Sequence, residues 1–367
     1  MGLKAGIVGL PNVGKSTLFS GLTKMKAESA NYPFTTIDPN ISIVELNDKR
    51  LDILSNMVKT QKTIKATFEF VDIAGLVKGA SKGEGLGNKF LANIREVDLI
   101  IHVIRCFDNK NILHVNNKVD PVSDFETINL ELILADMQTL DNVLSRIEKR
   151  AQNTQDKELL KEVNTIKKIK QEFLNNKLAF EMDLTDDEKK IIKSYQLLTI
   201  KPMIVVANIE NDYVANPIQS NHYLNLKKFL ESKNIKIIPL SVDVESEIAL
   251  LNDEDKDIFL KEYQLEKSGL DILIRESFNK LGLATYFTVG IKETRAWVFK
   301  QKMLAPQCAA IIHNDFEKYF IKAEVISYQD FIQCGGEKEA RDMGKLRLEG
   351  KTYEMQDGDI CNFKIGK

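Results

Sequence analysis

The stretch Gly9-Leu10-Pro11-Asn12-Val13-Gly14-Lys15-Ser16 decides how this chain folds. It matches the phosphate-binding pattern G-x-x-x-x-G-K-[ST] at every specified position. The apolar residues 5–8 before it are typical of a buried strand, and residues 17–22 after it are typical of a helix. A glycine-rich loop between a strand and a helix is the context that this pattern requires. The sequence therefore predicts a doubly wound α/β sheet with a nucleoside triphosphate at the carboxyl ends of its strands.

Each residue type in this loop suits a phosphate ligand. Gly9 and Gly14 let backbone N–H groups converge on phosphate oxygens, and the following helix adds the positive end of its dipole. We expect Lys15 to contact the β- and γ-phosphates and to act in catalysis, and the Ser16 hydroxyl to ligate Mg²⁺. A chance glycine-rich turn is the alternative, and the number of matching positions argues against it.

Two further segments are typical of the metal and γ-phosphate region. The apolar strand 67–71 ends in Asp72-Ile73-Ala74-Gly75, and a D-x-x-G sequence at this distance from a phosphate loop is a strong signal. We expect Asp72 near Mg²⁺ and the Gly75 backbone N–H at the γ-phosphate. Between the two motifs, Thr36 is the candidate that completes the Mg²⁺ shell, with Thr35 as the alternative.

A third segment should contact the base. Asn208-Ile209-Glu210-Asn211 follows the strand 203–207, where GTPases carry N-K-x-D. The aspartate of that motif accepts two hydrogen bonds from guanine, whereas the Asn211 amide offers one acceptor oxygen. The sequence therefore predicts poor selectivity for GTP, because a guanine donor would lose its partner. Ser241, after the strand 235–238, is the candidate to close over the base; a plain strand-to-loop serine is the alternative.

The position after D-x-x-G is unusual. Many GTPases have glutamine there to orient the attacking water, and this chain has Leu76, which forms no hydrogen bond. Hydrolysis is therefore slow, or another polar group or an external partner positions the water. His114, on the loop after the strand 98–107, is one candidate, and an ordinary loop histidine is the alternative. Asn12 is a second polar neighbour and a candidate to hold a monovalent cation such as K⁺.

Composition excludes several classes of protein. The 367 residues carry a net charge of −2, so no strongly basic field indicates a sequence-specific DNA partner. The four cysteines are widely spaced, which argues against a disulfide framework and for a reducing compartment. No apolar run approaches the ~20 residues of a membrane span, and the first strand begins almost at once, so we expect no signal peptide. These features predict a cytoplasmic protein that does not contact a membrane.

The pattern changes twice along the chain. Residues 125–199 lose the strand pattern, and two apolar stripes at helical spacing, separated by the polar turn 152–156, predict two antiparallel helices. The second helix is rich in lysine, which is typical of a solvated face or, alternatively, of an RNA contact. Residues 281–367 show short strands and one predicted helix at 336–349, typical of a small β-grasp domain. We therefore expect a nucleotide domain formed by 1–124 and 200–280.

The motifs at 9–16, 33–40 and 72–88 resemble those of the YchF (Obg-like ATPase) family, and the resemblance extends over essentially the whole chain. It implies an Obg-type nucleotide domain, an inserted coiled-coil arm and a C-terminal TGS domain. It also implies that His114 acts in hydrolysis and that Asn208 and Ile209 contact adenine. The residues that it places on the ATP phosphates are Asn12, Val13, Gly14, Lys15, Ser16 and Thr17.

The resemblance implies a ribosome-associated ATPase that prefers ATP to GTP and binds the large subunit, as a slow switch in translation or stress regulation. The hydrophobic residue Leu76 belongs to the family pattern, whereas Asn211 stands where the family usually has glutamate. Both residue types disfavour guanine. The alternatives are a GTPase of ribosome assembly and a weakly catalytic, nucleotide-dependent adaptor.

Overall fold

The computed structural model describes residues 3–25, 40–73, 86–109, 111–114 and 118–366. The strands within these residues are β1 (Lys4–Val8), β2 (Ile41–Glu45), β3 (Thr63–Ile64), β4 (Thr67–Asp72), β5 (Leu99–Cys106), β6 (Met203–Ile209), β7 (Lys236–Leu240), β8 (Leu283–Thr288), β9 (Thr294–Lys300), β10 (Phe320–Ser327), β11 (Arg347–Glu349) and β12 (Asp359–Ile365). The α-helices within them are α1 (Lys15–Lys24), α2 (Lys49–Val58), α3 (Leu86–Arg95), α4 (Pro121–Thr154), α5 (Lys157–Leu174), α6 (Asp186–Lys193), α7 (Asn221–Glu231), α8 (Val242–Ile248), α9 (Asp253–Glu262), α10 (Gly269–Lys280), α11 (Ala305–Ile312), α12 (Asp315–Lys318), α13 (Tyr328–Cys334) and α14 (Glu337–Asp342). None of the helices in these ranges is long and apolar enough to cross a membrane.

Contacts divide the chain into two units. The first consists of the described residues of 1–24, 38–42 and 69–273, and the second of those of 25–37, 43–68 and 274–367. Residues 43–68 thus cluster with the C-terminal part of the chain, although in sequence they lie between the phosphate loop at 9–16 and the D-x-x-G motif at 72–75. The domain boundaries given above stay predictions.

The sheet formed mainly by residues of the first unit has the strand order β2-β4-β1-β5-β6-β7. Strands β4, β1, β5, β6 and β7 pair in parallel. Every residue of β5 and β6 is buried, which explains why their sequences run apolar without alternation. After β1 the chain builds one side of the sheet and then, from β5, the other. The loop after β1 therefore lies at the topological switch point, where ligands bind in such sheets, and the predicted fold class is confirmed.

Two long helices of this unit share a core. Helix α4 has 34 residues and begins at the N-cap Asp120 with Pro121 in its first turn. Its last residue is Thr154. Gln155, with a φ of 52°, caps the helix and reverses the chain, and Asp156 is the N-cap of α5. Residues of both predicted apolar stripes are buried in one cluster, among them Leu140, Leu144, Ile166, Ile169 and Phe173.

The lysines of α5 and its C-terminal flank are mostly neutralised. Of the six lysines at positions 157, 161, 167, 168, 170 and 177, five form ion pairs. Four of these pairs have N–O distances of 2.6–3.2 Å. The pairs are Lys161–Asp187, Lys167–Glu148, Lys168–Glu188, Lys170–Asp141 and Lys177–Glu172. This pattern fits the solvated face better than the RNA contact, because a lysine already paired adds little attraction for phosphate.

The second unit contains a mixed sheet with the order β11-β10-β12-β8-β9-β3. Antiparallel pairs join β8 to β9 and β12 to β10, whereas β12 meets β8 in parallel at Ile360 and Phe287. The core on this sheet includes Tyr286, Phe299 and Val325, with Ala305 and Cys308 from α11.

The predicted helix at 336–349 is wrong in its second half. Helix α14 ends at Asp342, and Gly344 adopts a φ of 70°. The N–H groups of Gly344 and Lys345 donate to the carbonyls of Arg341 and Ala340, as in a helix C-terminus closed by a left-handed glycine. Strand β11 then pairs with β10. Helices α11 and α13 were not expected from the sequence.

Candidate nucleotide-binding site

The loop 9–16 is shaped by close backbone approaches. Gly14 has a φ of 94°, and a Cβ atom there would lie 2.4 Å from Asn208 Nδ2 and 2.9 Å from a Val242 methyl group. A Cβ atom on Gly9 would lie 2.8 Å from the Val103 carbonyl oxygen. Both positions therefore require glycine. Helix α1 begins at Lys15 with no acidic residue in its first turn, so nothing on the helix offsets its positive end.

Lys15, predicted to contact the phosphates, lies beside Asp72, predicted to lie near Mg²⁺. Lys15 Nζ forms an ion pair with Asp72 Oδ1, and the two side chains are 11% and 21% exposed. The parallel register pairs Ile7 of β1 with Asp72 of β4. Asp72 therefore lies at the carboxyl end of the strands, where the phosphate loop begins. Ser16 follows Lys15 in the first turn of α1 and is exposed.

The donor set of these residues fits Mg²⁺. A serine hydroxyl and a carboxylate are hard oxygen ligands, and Mg²⁺ usually takes one or two protein oxygens together with phosphate and water. No group of three or more His, Cys, Asp or Glu side chains suited to a metal occurs among the described residues. The protein part of the site thus matches a metal carried in with a nucleotide, not an all-protein cage.

Asn208 links two segments of the site from within. Its Nδ2 donates to the Val13 carbonyl at 3.0 Å, and its Oδ1 accepts from the Val242 N–H at 3.1 Å. The residue is 3% exposed, and Ile209 beside it is 2% exposed. Asn208 therefore joins the phosphate loop to the first residue of α8.

Asn211 and Ser241 contact each other. The Ser241 hydroxyl donates to Asn211 Oδ1 at 2.5 Å and also accepts from the Val244 N–H at 3.4 Å, as the N-cap of α8. The single acceptor oxygen of the Asn211 amide is thus engaged by the protein. The Asn211 side chain itself is exposed.

Hydrogen bonds of Arg105, Asn12 and His114 hold the loop that carries His114. The buried Arg105 guanidinium donates to the carbonyls of Phe107, Asn109 and Ile112 at 3.0–3.1 Å. Asn12 Nδ2 of the phosphate loop donates to the Leu113 carbonyl at 3.2 Å. The His114 ring is buried, and its Nε2 lies 2.9 Å from Asp124 Oδ2 in the first turn of α4.

Burial dominates the electrostatics around this histidine. It raises the pKa of the Asp124 carboxyl above its usual value, although the hydrogen bond from His114 opposes that shift. It also lowers the pKa of the Arg105 guanidinium, against the attraction of Asp108 and Asp124. Arg105 nevertheless keeps its charge at neutral pH, because arginine is not deprotonated in proteins.

The structure brings most predicted site residues to one end of the sheet. Asn12, Val13, Gly14, Lys15, Ser16 and Asp72 surround the loop, and Thr17 accepts through its carbonyl from the Ser246 hydroxyl at 3.5 Å. Thr36, Gly75 and Leu76 lie outside the described residues. The roles of all these residues in binding and catalysis stay predictions.

Sequence reasoning missed Asp124 and Arg105. An acidic residue in a first helical turn is ordinary, since it favours the helix dipole, so Asp124 gave no signal of its own. Arg105 lies within a strand and is fully buried, which the sequence alone would not suggest for an arginine.

Two family models match this chain. One, described as a 50S ribosome-binding GTPase, matches residues 4–138, and another, YchF-GTPase_C, described as a protein of unknown function, matches residues 283–366. A relative from Bacillus subtilis, named Ribosome-binding ATPase YchF, is 52% identical over 365 residues that cover 100% of both chains. The chain belongs to the YchF family. The predicted resemblance is thereby confirmed.

Other YchF proteins agree over the full length. The Escherichia coli O157:H7 protein named Ribosome-binding ATPase YchF is 48% identical over 364 residues, which cover 99% of each chain. The solved structure of the Schizosaccharomyces pombe YchF GTPase matches with a TM-score of 0.89 and 37% identity, over 99% of this chain and 97% of that one. The YchF fold is therefore shared across both units.

Proposed function

We propose that this YchF protein is a ribosome-associated ATPase that binds ATP in preference to GTP and hydrolyses it slowly to ADP and phosphate. The full-length identity to relatives named Ribosome-binding ATPase YchF supports both the ATPase activity and the ribosome partner. The observation that carries the nucleotide assignment is the loop 9–16, whose glycine positions and helix start form an anion cradle.

On the phosphate side, the roles follow from charge and position. Lys15 neutralises the β- and γ-phosphates, while Ser16, Asp72 and Thr36 hold Mg²⁺. When bound, Mg²⁺ supplies positive charge to the phosphate oxygens at which negative charge develops. The Gly75 backbone N–H contacts the γ-phosphate, and the backbone from Asn12 to Thr17 encloses the other phosphates.

On the base side, Asn211 favours ATP over GTP. Guanine presents two donors, N1–H and the 2-amino group, and the one acceptor oxygen of Asn211 already binds Ser241. Adenine presents an acceptor at N1, which suits the remaining amide donors. Ile209 and Asn208 lie against the adenine, and Ser241 closes the base pocket through α8.

For hydrolysis, His114 takes the place of the glutamine that Leu76 replaces. The bond from Asn12 of the phosphate loop to the Leu113 carbonyl, next to His114, supports this role. Without a glutamine the reaction is slow, so the protein acts as a switch rather than as a fast hydrolase. Asn12 additionally helps to hold K⁺. A rate that is the same in KCl and NaCl at equal ionic strength would contradict this part.

Calorimetric titration with Mg·ATP and Mg·GTP tests the assignment. We expect ATP to bind about 10-fold more tightly, because a guanine donor without an acceptor at Asn211 loses about one hydrogen bond, or ~1.4 kcal/mol. GTP binding as tightly as ATP would contradict it. That result would favour the second candidate, a GTPase of ribosome assembly, which the names of the fission yeast YchF GTPase and of the 50S ribosome-binding GTPase family also support.

Cosedimentation tests the ribosome partner, which we assign to the large subunit in the cytoplasm. The family model described as a 50S ribosome-binding GTPase supports this choice of subunit. We expect the protein with a non-hydrolysable ATP analogue to pellet with isolated large subunits and to dissociate steeply as salt rises. Cosedimentation with small subunits alone would contradict the assignment. Binding without measurable turnover would instead favour a weakly catalytic adaptor.

A further inference from the structure

A buried carboxylate faces the hydrolysis histidine from another element. Asp124 is 1% exposed and lies in the first turn of α4, the long helix that forms the arm with α5. Its Oδ2 is 2.9 Å from His114 Nε2, and the His114 side chain is 5% exposed. Among the described residues, Asp124 Oδ1 has no hydrogen-bond partner. The pair is therefore shielded from water on both sides.

The start of α4 does not need this carboxylate. Asp120 is the N-cap, and its side chain already accepts from the Ser123 N–H at 3.1 Å. A second carboxylate one turn further on adds a buried charge, which is costly unless it is paired. An apolar or amide side chain would fill the same space at lower cost. Asp124 brings two interactions to this position, the bond to His114 and attraction for the Arg105 guanidinium, and only the first involves the imidazole ring.

The backbone around His114 is held by other groups. Arg105 binds three carbonyls of the preceding loop, and Asn12 binds the carbonyl of Leu113. These contacts fix where the His114 backbone lies relative to the phosphate loop. They do not fix how the ring is turned or which ring nitrogen carries the proton.

A carboxylate next to a ring nitrogen fixes both properties. If Asp124 accepts from Nε2–H, the neutral ring has its lone pair on Nδ1, which is then the nitrogen able to accept a proton. We propose that Asp124 is a positioning residue for hydrolysis, which holds His114 in one orientation and tautomer and so makes the first turn of the arm helix part of the hydrolysis site. This inference rests on the proposed role of His114 in hydrolysis.

A double-mutant comparison of steady-state ATPase rates in the full-length protein tests the inference. We expect Asp124→Asn to lower kcat about 10-fold or more, with KM for Mg·ATP within about two-fold, since the change affects the ring and not the nucleotide. In the His114→Ala background, Asp124→Asn should cause no further loss, because a residue that acts through His114 has nothing left to position.

The matched control is Asp120→Asn. It removes the same charge from the same helix, one turn away, and asparagine is as good an N-cap as aspartate. We expect its kcat to equal that of the unmodified protein. A comparable loss in Asp120→Asn would mean that charge near α4, and not the bond to His114, sets the rate, which overturns the inference.

The outcomes separate the inference from the proposed function. Normal turnover in Asp124→Asn with impaired turnover in His114→Ala overturns the positioning role alone. Normal turnover in His114→Ala overturns the catalytic role of His114 and the inference with it. An additional loss in the double variant shows that Asp124 acts through folding, and it too overturns the inference.

Nitrogen-15 NMR of the histidine rings gives a test that does not depend on the Asp124 variant folding. The chain has four histidines, and the spectrum of His114→Ala assigns the signals of His114. We expect His114 to be a single Nε2–H tautomer at slightly alkaline pH. An Nδ1–H tautomer, or a rapidly exchanging mixture like that of an exposed imidazole, would overturn the inference.

Discussion

The phosphate side and the base side of the site are built in different ways. On the phosphate side, the backbone of 9–16 does the shaping, and the glycines at 9 and 14 are required because a Cβ atom there would meet other atoms at 2.4–2.9 Å. On the base side, the proposed contacts are made by single side-chain atoms, and several of these atoms already bind protein groups, as the Asn211 amide oxygen does with Ser241. A short sequence pattern is therefore enough to specify the backbone of the phosphate loop. The choice of base depends instead on which side-chain atoms are not already hydrogen-bonded within the protein.

Asn208 belongs to both sides. Its amide bonds to the carbonyl of Val13 in the phosphate loop and to the N–H of Val242 at the start of α8, where Ser241 is the N-cap. A residue of the segment that we propose to contact the base thus supports the phosphate loop. Substitutions on the phosphate side and on the base side should consequently change turnover and nucleotide affinity in different ways. A substitution of Asn208 should affect both sides.

The largest effect is expected on the phosphate side. Lys15→Ala removes the cation that neutralises the phosphates and leaves the Asp72 carboxylate without its ion-pair partner. We expect kcat for ATP to fall at least about 100-fold, because this charge stabilises the transferred phosphoryl group. Phosphate-release assays with Lys24→Ala as the control, at the other end of α1, measure it. Turnover that survives in Lys15→Ala would mean that the measured activity comes from a contaminant.

An intermediate effect is expected where the two sides meet. Asn208→Ala leaves the Val13 carbonyl and the Val242 N–H without their partners, which should lower the free energy of unfolding by about 2–4 kcal/mol. The loop is then less ordered, so the dissociation constants for ATP and GTP should rise by a similar factor. Urea unfolding and nucleotide titration, with the exposed Asn216→Ala as the control, measure both quantities.

Selective loss of ATP binding in Asn208→Ala would contradict this account. It would show that the Asn208 side chain reads adenine directly, as the family resemblance implies, in addition to bonding within the protein. The comparison of the two nucleotides thus separates a supporting residue from a base-reading one.

Much of the fold was predictable because its signals are local. The glycine pattern at 9–16 fixed the strand–loop–helix unit, and the apolar runs of β5 and β6 indicated central parallel strands, which are buried on both faces. The stripes of α4 and α5 were predictable because helical spacing is visible in sequence. The false helix end at 349 had a physical cause, since Met343 and residues 345–349 are all good helix formers, but the left-handed Gly344 and the pairing of β11 with β10 decide otherwise.

The candidate site was predictable in its parts but not in its connections. Lys15 and Asp72 were each expected near phosphate or metal, yet their ion pair follows only from the register of β1 and β4. The bond between His114 and Asp124 joins a loop to a helix, and the bond between Asn211 and Ser241 spans 30 positions. Such contacts depend on how elements pack, and no spacing within one element reveals them.

The smallest effect is expected on the base side, from Asn211→Asp. The substituted carboxylate keeps one oxygen for the Ser241 hydroxyl and gains a second acceptor for a guanine donor, while it loses the amide donors that suit adenine. We expect the ratio of GTP to ATP affinity to rise about 10-fold, which corresponds to one hydrogen bond of this kind. Titration of both nucleotides into both proteins measures the ratio.

Asn211→Ala separates the gain for guanine from the loss for adenine. It removes the amide without adding an acceptor, so it should weaken ATP binding and leave GTP binding nearly unchanged. If Asn211→Asp leaves the ratio as it was, base choice does not rest on this side chain, and the contrast between a backbone-built phosphate side and a side-chain-built base side fails. Because the phosphate loop is untouched by either change, kcat for bound ATP should stay within about two-fold of the unmodified protein.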